Sequence, residues 1–194
     1  MNQRLVAVLL TLSLSLVGCA AVTSVPAGPM ALGAGQVTLG RAWSDISLIM
    51  PARSKKVHLL SLEGPLLNRL YVTEGMKAGD YMIRPLAKEL PTPTVRADMS
   101  MSEQIEFLAD SVAAMDYIHV ETSHPRPVMF GASRGVRIDI TAETRDGLEI
   151  KGVGTVARDS AGQLYVILYL APAEYYFDAG LAEVESIIAT ARAG

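Results

Sequence analysis

The sequence predicts an α+β fold, an antiparallel β-sheet packed by helices, and three observations carry that expectation. Val136, Ile138, Ile140 and Ala142 alternate with Arg137, Asp139, Thr141 and Glu143, the period of a strand with one dry and one wet face. Leu164 to Leu170 is almost wholly apolar, the mark of a strand covered on both sides. Two stripes at helical spacing, Met101-Ile105-Leu108-Val112-Met115 and Leu181-Val184-Ile187-Ile188-Ala191, supply the helices. Three meander strands followed by a helix fit segregated α+β organisation, with helices on the faces of the sheet.

The chain opens with a different signal. Arg4 is the sole charge before an apolar run from Leu5 to Val17, broken only by Thr11, Ser13 and Ser15. As a helix that run would reach about 20 Å, short of the ~30 Å hydrocarbon core of a bilayer, so it reads as a cleaved signal peptide over residues 1–18. From Ala20 to Gln36 the chain has no charge and much Ala, Gly and Pro, with neither helical nor alternating periodicity. A mobile tether over 19–36 is the expectation there, with a single folded domain over 37–194.

The run ends in Leu16-Val17-Gly18-Cys19, which resembles a bacterial lipobox. That resemblance implies diacylation of the Cys19 thiol, cleavage before Cys19 and acylation of the new amino group, hence a protein fixed to a membrane through its lipid. In a Gram-negative envelope, Ala20 and Ala21 after the cysteine imply the outer membrane, with the domain facing the periplasm. Cys19 is the one cysteine among 194 residues, which rules out a disulfide scaffold and a cysteine-based zinc site.

Within the domain, Trp43 to Met50 runs into Pro51, and Lys56 to Leu62 reads as a strand with Val57 and Leu59 inward and Leu60 a further candidate. Glu63-Gly64-Pro65 is a turn, and Leu66 to Thr73 the return strand. Pro85, Pro91 and Pro93 make 84–95 a poor place for long regular structure. Ser100 and Glu103 have capping-box spacing and start the first helix. Asp146-Gly147 favours a tight hairpin, after which Leu148, Ile150, Gly152, Gly154 and Val156 share a face. Asp159-Ser160-Ala161-Gly162 turns the chain into the apolar strand, Pro172 stops it, and Glu174 to Phe177 is a short loop before the last helix.

That ending carries a second resemblance. A Gly-containing turn, Gln163-Leu164-Tyr165-Val166-Ile167, then Ala171-Pro172-Ala173-Glu174 and a helix closing on Ile187-Ile188-Ala189-Thr190 are similar to the end of PsbP-like domains, over residues 100–194. The resemblance implies an αβα sandwich of a non-catalytic extrinsic protein, and no photosystem-binding residue maps onto this chain. Leu62-Glu63-Gly64-Pro65-Leu66-Leu67-Asn68 and Met99-Ser100-Met101-Ser102-Glu103 also resemble segments of uncharacterised proteobacterial envelope lipoproteins.

Few residues are placed for chemistry. Gly131-Ala132-Ser133-Arg134-Gly135 satisfies G-x-S-x-G, but a strand follows where a nucleophile elbow needs a helix, and His58, His119 and His124 all precede the serine. His119 and Glu121 are two apart on a strand, with His124 close by, yet nothing in the spacing demands a metal. Asp139, Glu143 and Asp146 lack a calcium-loop pattern. Gly152 and Gly154 lie within a strand, where glycine marks a close approach of a packed helix rather than a phosphate loop. Tyr175-Tyr176-Phe177 cannot all point inward; they form a binding edge or a membrane-facing rim, or Phe177 and one tyrosine plug the end of the sheet.

A net charge of −3 and 6% aromatic residues argue against a nucleic-acid binder, which shows a basic face. The expectation is a non-catalytic, lipid-anchored interaction module docking on an envelope protein, with no cofactor and no metal. The alternative is a carrier of a small apolar ligand, held between sheet and helix by residues such as Met99, Met101 and Tyr169.

Overall fold

The computed structural model describes residues 22–65, 67–87 and 89–194. In chain order these form β1 (Thr23–Val25), β2 (Gly28–Leu32), β3 (Gly35–Leu39), β4 (Trp43–Asp45), a 3-10 turn (Ser47–Ile49), β5 (Val57–Ser61) and β6 (Arg69–Thr73). Helix α1 (Met101–Ala114), β7 (Ile118–Phe130), β8 (Ser133–Glu143), β9 (Glu149–Arg158), β10 (Leu164–Pro172) and α2 (Tyr176–Thr190) follow. Eight strands make one sheet in the order β1-β4-β5-β6-β10-β9-β8-β7, every neighbour antiparallel. Strands β2 and β3 pair separately as a hairpin. The signal peptide and Cys19 lie outside the described residues, as does Leu66 in the expected return strand.

Strand β10 is buried at all nine positions, as an unbroken apolar run requires. Leu164, Val166, Leu168 and Leu170 face one core with Leu59, Ile138, Ile140, Leu108 and Val112 of α1. Tyr165, Ile167, Tyr169 and Ala171 face the other, with Leu70, Val72, Leu39 and Val184, Ile187 and Ile188 of α2. Burying one such aliphatic side chain contributes about 1.5–3 kcal/mol. Each face therefore needs its own cover. The irregular stretch after β6 helps supply one, because Met76, Met82, Ile83, Val95 and Met99 are all buried in the α1-side core.

Helix α1 begins where the capping box places it. The Ser100 hydroxyl accepts from the Glu103 N–H while the Glu103 carboxylate accepts from the Ser100 N–H at 2.8 Å. Its buried face is rotated from the expected stripe, taking in Phe107, Leu108, Ser111, Val112 and Ala114 and leaving Met101 51% exposed. Ser111 is admitted to the core because its hydroxyl donates to the Phe107 carbonyl at 2.7 Å, which leaves no unpaired polar group. The expected face of β9 also loses a member: Leu148 lies in the β8–β9 loop and is exposed.

Two further expectations are corrected. The stretch read as a mobile tether is structured from Thr23 onward: β1 pairs with β4 and β2 with β3. Leu32 is buried in the α2-side core, and Val25 and Met30 pack against it. An uncharged Ala/Gly/Pro segment looks like a linker, but its few large residues reach an apolar surface that other elements present. The meander also has four strands rather than three. Pro125 and Pro127 argue against a strand, yet β7 is an edge, where a missing N–H breaks no inner ladder. The β7–β8 register shifts between Ile118 and Glu121 and between Ser123 and Arg126, close to His119 and His124 at φ 50° and 49°.

Of the two glycines expected to face a packed helix, Gly154 does so, whereas a Cβ on Gly152 would meet Leu170 and the Tyr169 carbonyl of β10. A Cβ on Gly154 would overlap the Leu108 methyl of α1 and press to 3.1 Å on Ile140 Cδ1. On the opposite face the roles reverse: Gly180 belongs to the helix, and a Cβ there would overlap the Tyr169 hydroxyl beneath it. Gly154→Val is expected to lift α1 and destabilise the fold by about 1–3 kcal/mol, read from the urea midpoint. Combining it with Leu108→Ala, which vacates the overlapping volume, should make the two effects strongly non-additive.

Candidate functional site

Alternation along β8 puts Arg137, Asp139 and Thr141 on the α2 side of the sheet, opposite the buried Val136, Ile138 and Ile140. The antiparallel register sets Lys151 beside Thr141 and Arg126 beside Arg137, so three strands contribute cations to one floor. Helix α2 runs along this face. Val184, Ile187 and Ile188 point into the core, while Phe177, Leu181 and Glu185, four residues apart, form a wall. Between wall and floor is a groove of about 520 Å³ that also takes in Ser123 and His124 of β7.

Arg137 is the hinge of its electrostatics. Its side chain is only 11% exposed, and it donates from Nε to Glu185 Oε1 at 3.0 Å while Nη1 bonds Asp139. Burial works against its charge, but hydrogen bonds to Glu185 and Asp139 outweigh this and raise its pKa above the ordinary arginine value. Asp139 also accepts from Arg126 Nη2 at 3.1 Å and lies 3.3 Å from His124 Nδ1. With His124 neutral, the groove holds Arg126, Arg137 and Lys151 against Asp139 and Glu185, an excess of one positive charge. It suits an anionic or mixed polar–apolar surface.

The aromatic cluster divides its labour. Helix α2 starts at Tyr176, so the expected loop to Phe177 is already helical there. Phe177 is buried and stacks on Tyr169 with centroids 5.9 Å apart. The Tyr169 hydroxyl donates to the Tyr176 carbonyl at 2.9 Å, and burial pushes its pKa well up, with Glu63 adding to the shift. Tyr176 is half-buried and Tyr175 is 73% exposed, with its backbone in the left-handed region at φ 68°. Phe177 thus plugs the sheet, while Tyr175 stands in solvent two residues before it.

Other candidates are dispersed. Gly131-Ala132 is the two-residue loop of the β7–β8 hairpin, with Gly131 at φ 62°, and Ser133 opens β8 opposite Phe130. The three histidines face three different carboxylates: His58 with Glu74 at 3.3 Å, His119 with Glu143 at 3.2 Å, His124 with Asp139. His119 thus turns to the neighbouring strand rather than to Glu121. Among the described residues, no three His, Cys, Asp or Glu side chains are grouped to hold a metal ion. Asp146 bonds the Thr144 hydroxyl of its own loop, away from the partners of Asp139. Met99 is buried in the α1-side core, Tyr169 in the α2-side core, and Met101 is exposed, so these three do not line one cavity.

The segments 62–68 and 99–103 contain residues that serve the fold. Asn68 Oδ1 accepts from the Leu62 N–H at 2.8 Å and from the Ser61 hydroxyl at 3.0 Å, clasping the β5–β6 turn, and the other segment holds the capping box.

No protein-family model matches the chain, and no curated protein matches it in sequence. Solved structures do share its architecture. The solution structure of cyanobacterial PsbP from Synechocystis superposes with a TM-score of 0.53 at 13% identity, covering 92% of this chain and 96% of that one. The Ran-binding protein Mog1p of Saccharomyces cerevisiae has a TM-score of 0.53 at 9% identity, covering 88% and 94%. The fold is PsbP-like. The likeness extends well beyond residues 100–194, covering 92% of the chain; β1, β4, β5 and β6 lie in the same sheet as β7–β10.

Arg126, Lys151 and Glu185 were not singled out by the sequence, and Leu181 was named only as a member of the closing-helix stripe. The 177-181-185 spacing was visible, but the meeting of β7, β8 and β9 depends on registers that only the folded hairpins define. Arg137→Ala is expected to leave Asp139 and Glu185 facing each other across a partly wet gap. The cost should be about 1–2 kcal/mol, between exposed and buried ion pairs, measured by chemical denaturation.

Proposed function

We propose that this chain is a lipid-anchored envelope lipoprotein whose PsbP-like domain acts as a non-catalytic interaction or accessory module. The groove between α2 and β7–β9 carries the reading. Four of its charged side chains are engaged with one another, with Asp139 shared by Arg126, Arg137 and His124 and Glu185 bound by Arg137. A complementary surface can compete for those pairs, while Phe177 and Leu181 offer apolar contact and Tyr175 an exposed aromatic two residues from Phe177. Interfaces concentrate their affinity in such aromatic and arginine positions. Mog1p is by name a Ran-binding protein, so a protein of this architecture serves protein binding.

The lipobox-like Leu16-Val17-Gly18-Cys19 supports the anchor at Cys19, and Ala20-Ala21 the outer membrane facing the periplasm. Several acyl chains on one residue hold stably where a single chain is marginal. Cys19→Ala is expected to abolish metabolic labelling with fatty acid and processing at that site. Label retained on the variant would remove the anchor from this reading.

A photo-crosslinking residue at Leu181, in native membranes, is expected to capture one envelope protein, and Arg126→Glu to abolish that capture. The same probe at Leu148, in the β8–β9 loop, should capture nothing. One observation favours a second reading: about 520 Å³ lies within the range of small-molecule sites. Its charged lining fits an amphipathic anion better than a purely apolar ligand. Native mass spectrometry that finds a small molecule bound, with no protein captured through Leu181, would decide for that carrier role.

A further inference from the structure

The point at which the chain enters the fold is unusual in what surrounds it. Thr23 pairs with Asp45 in an antiparallel register, so the residues after Asp45 lie at the same end of the sheet as the residue before Thr23. That residue, Val22, is 55% exposed, and the chain after Asp45 forms the Ser47–Ile49 turn, in which Leu48 is 70% and Ile49 47% exposed. Three apolar side chains therefore stand in solvent around the entry point.

The turn is held rigidly in that posture. Ile46 and Ser47 on either side of its start are buried, and the Ile46 N–H donates to the Leu59 carbonyl at 2.8 Å. The Ser47 hydroxyl accepts from the Leu59 N–H at 2.9 Å, and the Ser47 N–H donates to Asp45 Oδ1 at 2.8 Å. Arg53 ties the turn to the start of β5, donating from Nε to the Ser47 carbonyl at 2.8 Å and from Nη1 to the Val57 carbonyl at 2.9 Å. Leu48 and Ile49 cannot fold back without breaking this set. The following residues Arg53, Lys55 and Lys56 are basic, with Lys55 exposed, a composition that suits an anionic headgroup layer.

We propose that the Ser47–Ile49 turn seats on the lipid surface, placing Leu48 and Ile49, with Val22, at the headgroup–acyl boundary and Lys55 among the headgroups. The inference rests on the reading of Cys19 as the acylated residue, and chain length is what commits it to lipid. Cys19 is three residues before Val22, and three residues at full stretch span about 11 Å. With Thr23 already paired in the sheet, no long tether separates domain and bilayer. The anchor brings this end of the sheet to the membrane, and adjacent strands about 4.8 Å apart carry the turn along with Thr23. The opposite end points away: β10 begins at Leu164, which bridges to Met76 just beyond the Thr73–Val57 pair, and ends with Pro172 opposite Ile150, next to the Leu148 loop. The groove wall starts at that far end, with Tyr175 and Phe177.

The test uses full-length protein extracted from its own membranes and reconstituted in phosphatidylethanolamine–phosphatidylglycerol vesicles. Leu48→Trp and Leu148→Trp are each compared with wild type, whose emission comes from the buried Trp43. With lipid on Cys19 verified by mass spectrometry, Leu48→Trp is expected to lose most of its added emission when the acyl chains are brominated. Leu148→Trp should keep its own. Acylated protein in which the two variants are quenched alike overturns the seating and leaves the anchor standing. A chain whose mass shows no lipid at Cys19 overturns the anchor, and the seating with it.

Discussion

Everything in this molecule depends on a central strand that tolerates water on neither face. Strand β10 sits between β6 and β9, and its alternate residues enter two separate cores. A half-buried strand would need one helix; this one needs α1 with its accessory loops on one side and α2 with the β2–β3 hairpin on the other. The three layers are thus a consequence of nine consecutive buried positions. Both helices come close because a side chain is missing at each contact, from the sheet at Gly154 and from the helix at Gly180.

The groove follows from a mismatch of widths. Eight strands at about 4.8 Å spacing extend over about 34 Å, while a helix with its side chains is about 10–12 Å across. One helix per face covers the middle and leaves the flanks to loops or solvent. On the α2 side, the middle of β7 and β8 is such a flank, where Arg126, Arg137 and Asp139 stand, while Val128 and Phe130 of β7 still pack into the core. Arg137 lies at the boundary: nearly buried, it joins the helix through Glu185 to the uncovered strands through Asp139.

What was legible in the sequence is what depends on period and local chemistry. The β8 alternation, the fully buried β10, the Ser100–Glu103 box, the α2 stripe and the close approach at Gly154 each need only a few adjacent residues. What was hidden depends on distant partners. Thr23 to Leu32 carries too few large residues to announce strands and forms two, β1 and β2, because β4, β3 and the α2-side core are there to receive them. Strand β7 was legible only around His119 and Glu121, and it continues through Pro125 and Pro127, which an edge accepts and a centre would not. The groove was hidden because Arg126, Arg137 and Lys151 share a floor only through two hairpin registers. For Tyr175 to Phe177 the sequence left an outward edge and an inward plug open, and the fold buries Phe177 while leaving Tyr175 exposed.

The irregular edge of the sheet has a bearing on how densely copies of the chain can be crowded. A thirteen-residue strand with one open side would, if flat, offer its unpaired amides as a template for another copy. Pro125 and Pro127 remove two donors from that row. The left-handed residues His119 and His124, beside the two register shifts, bend what remains out of line. Histidine at positive φ is a strained choice for the backbone and a poor one for strand extension, and here both costs fall on the border a neighbour would have to match. Under the proposed lipid anchor, where copies would share two dimensions and one orientation, such a border would oppose edge-to-edge pairing without needing a large net charge.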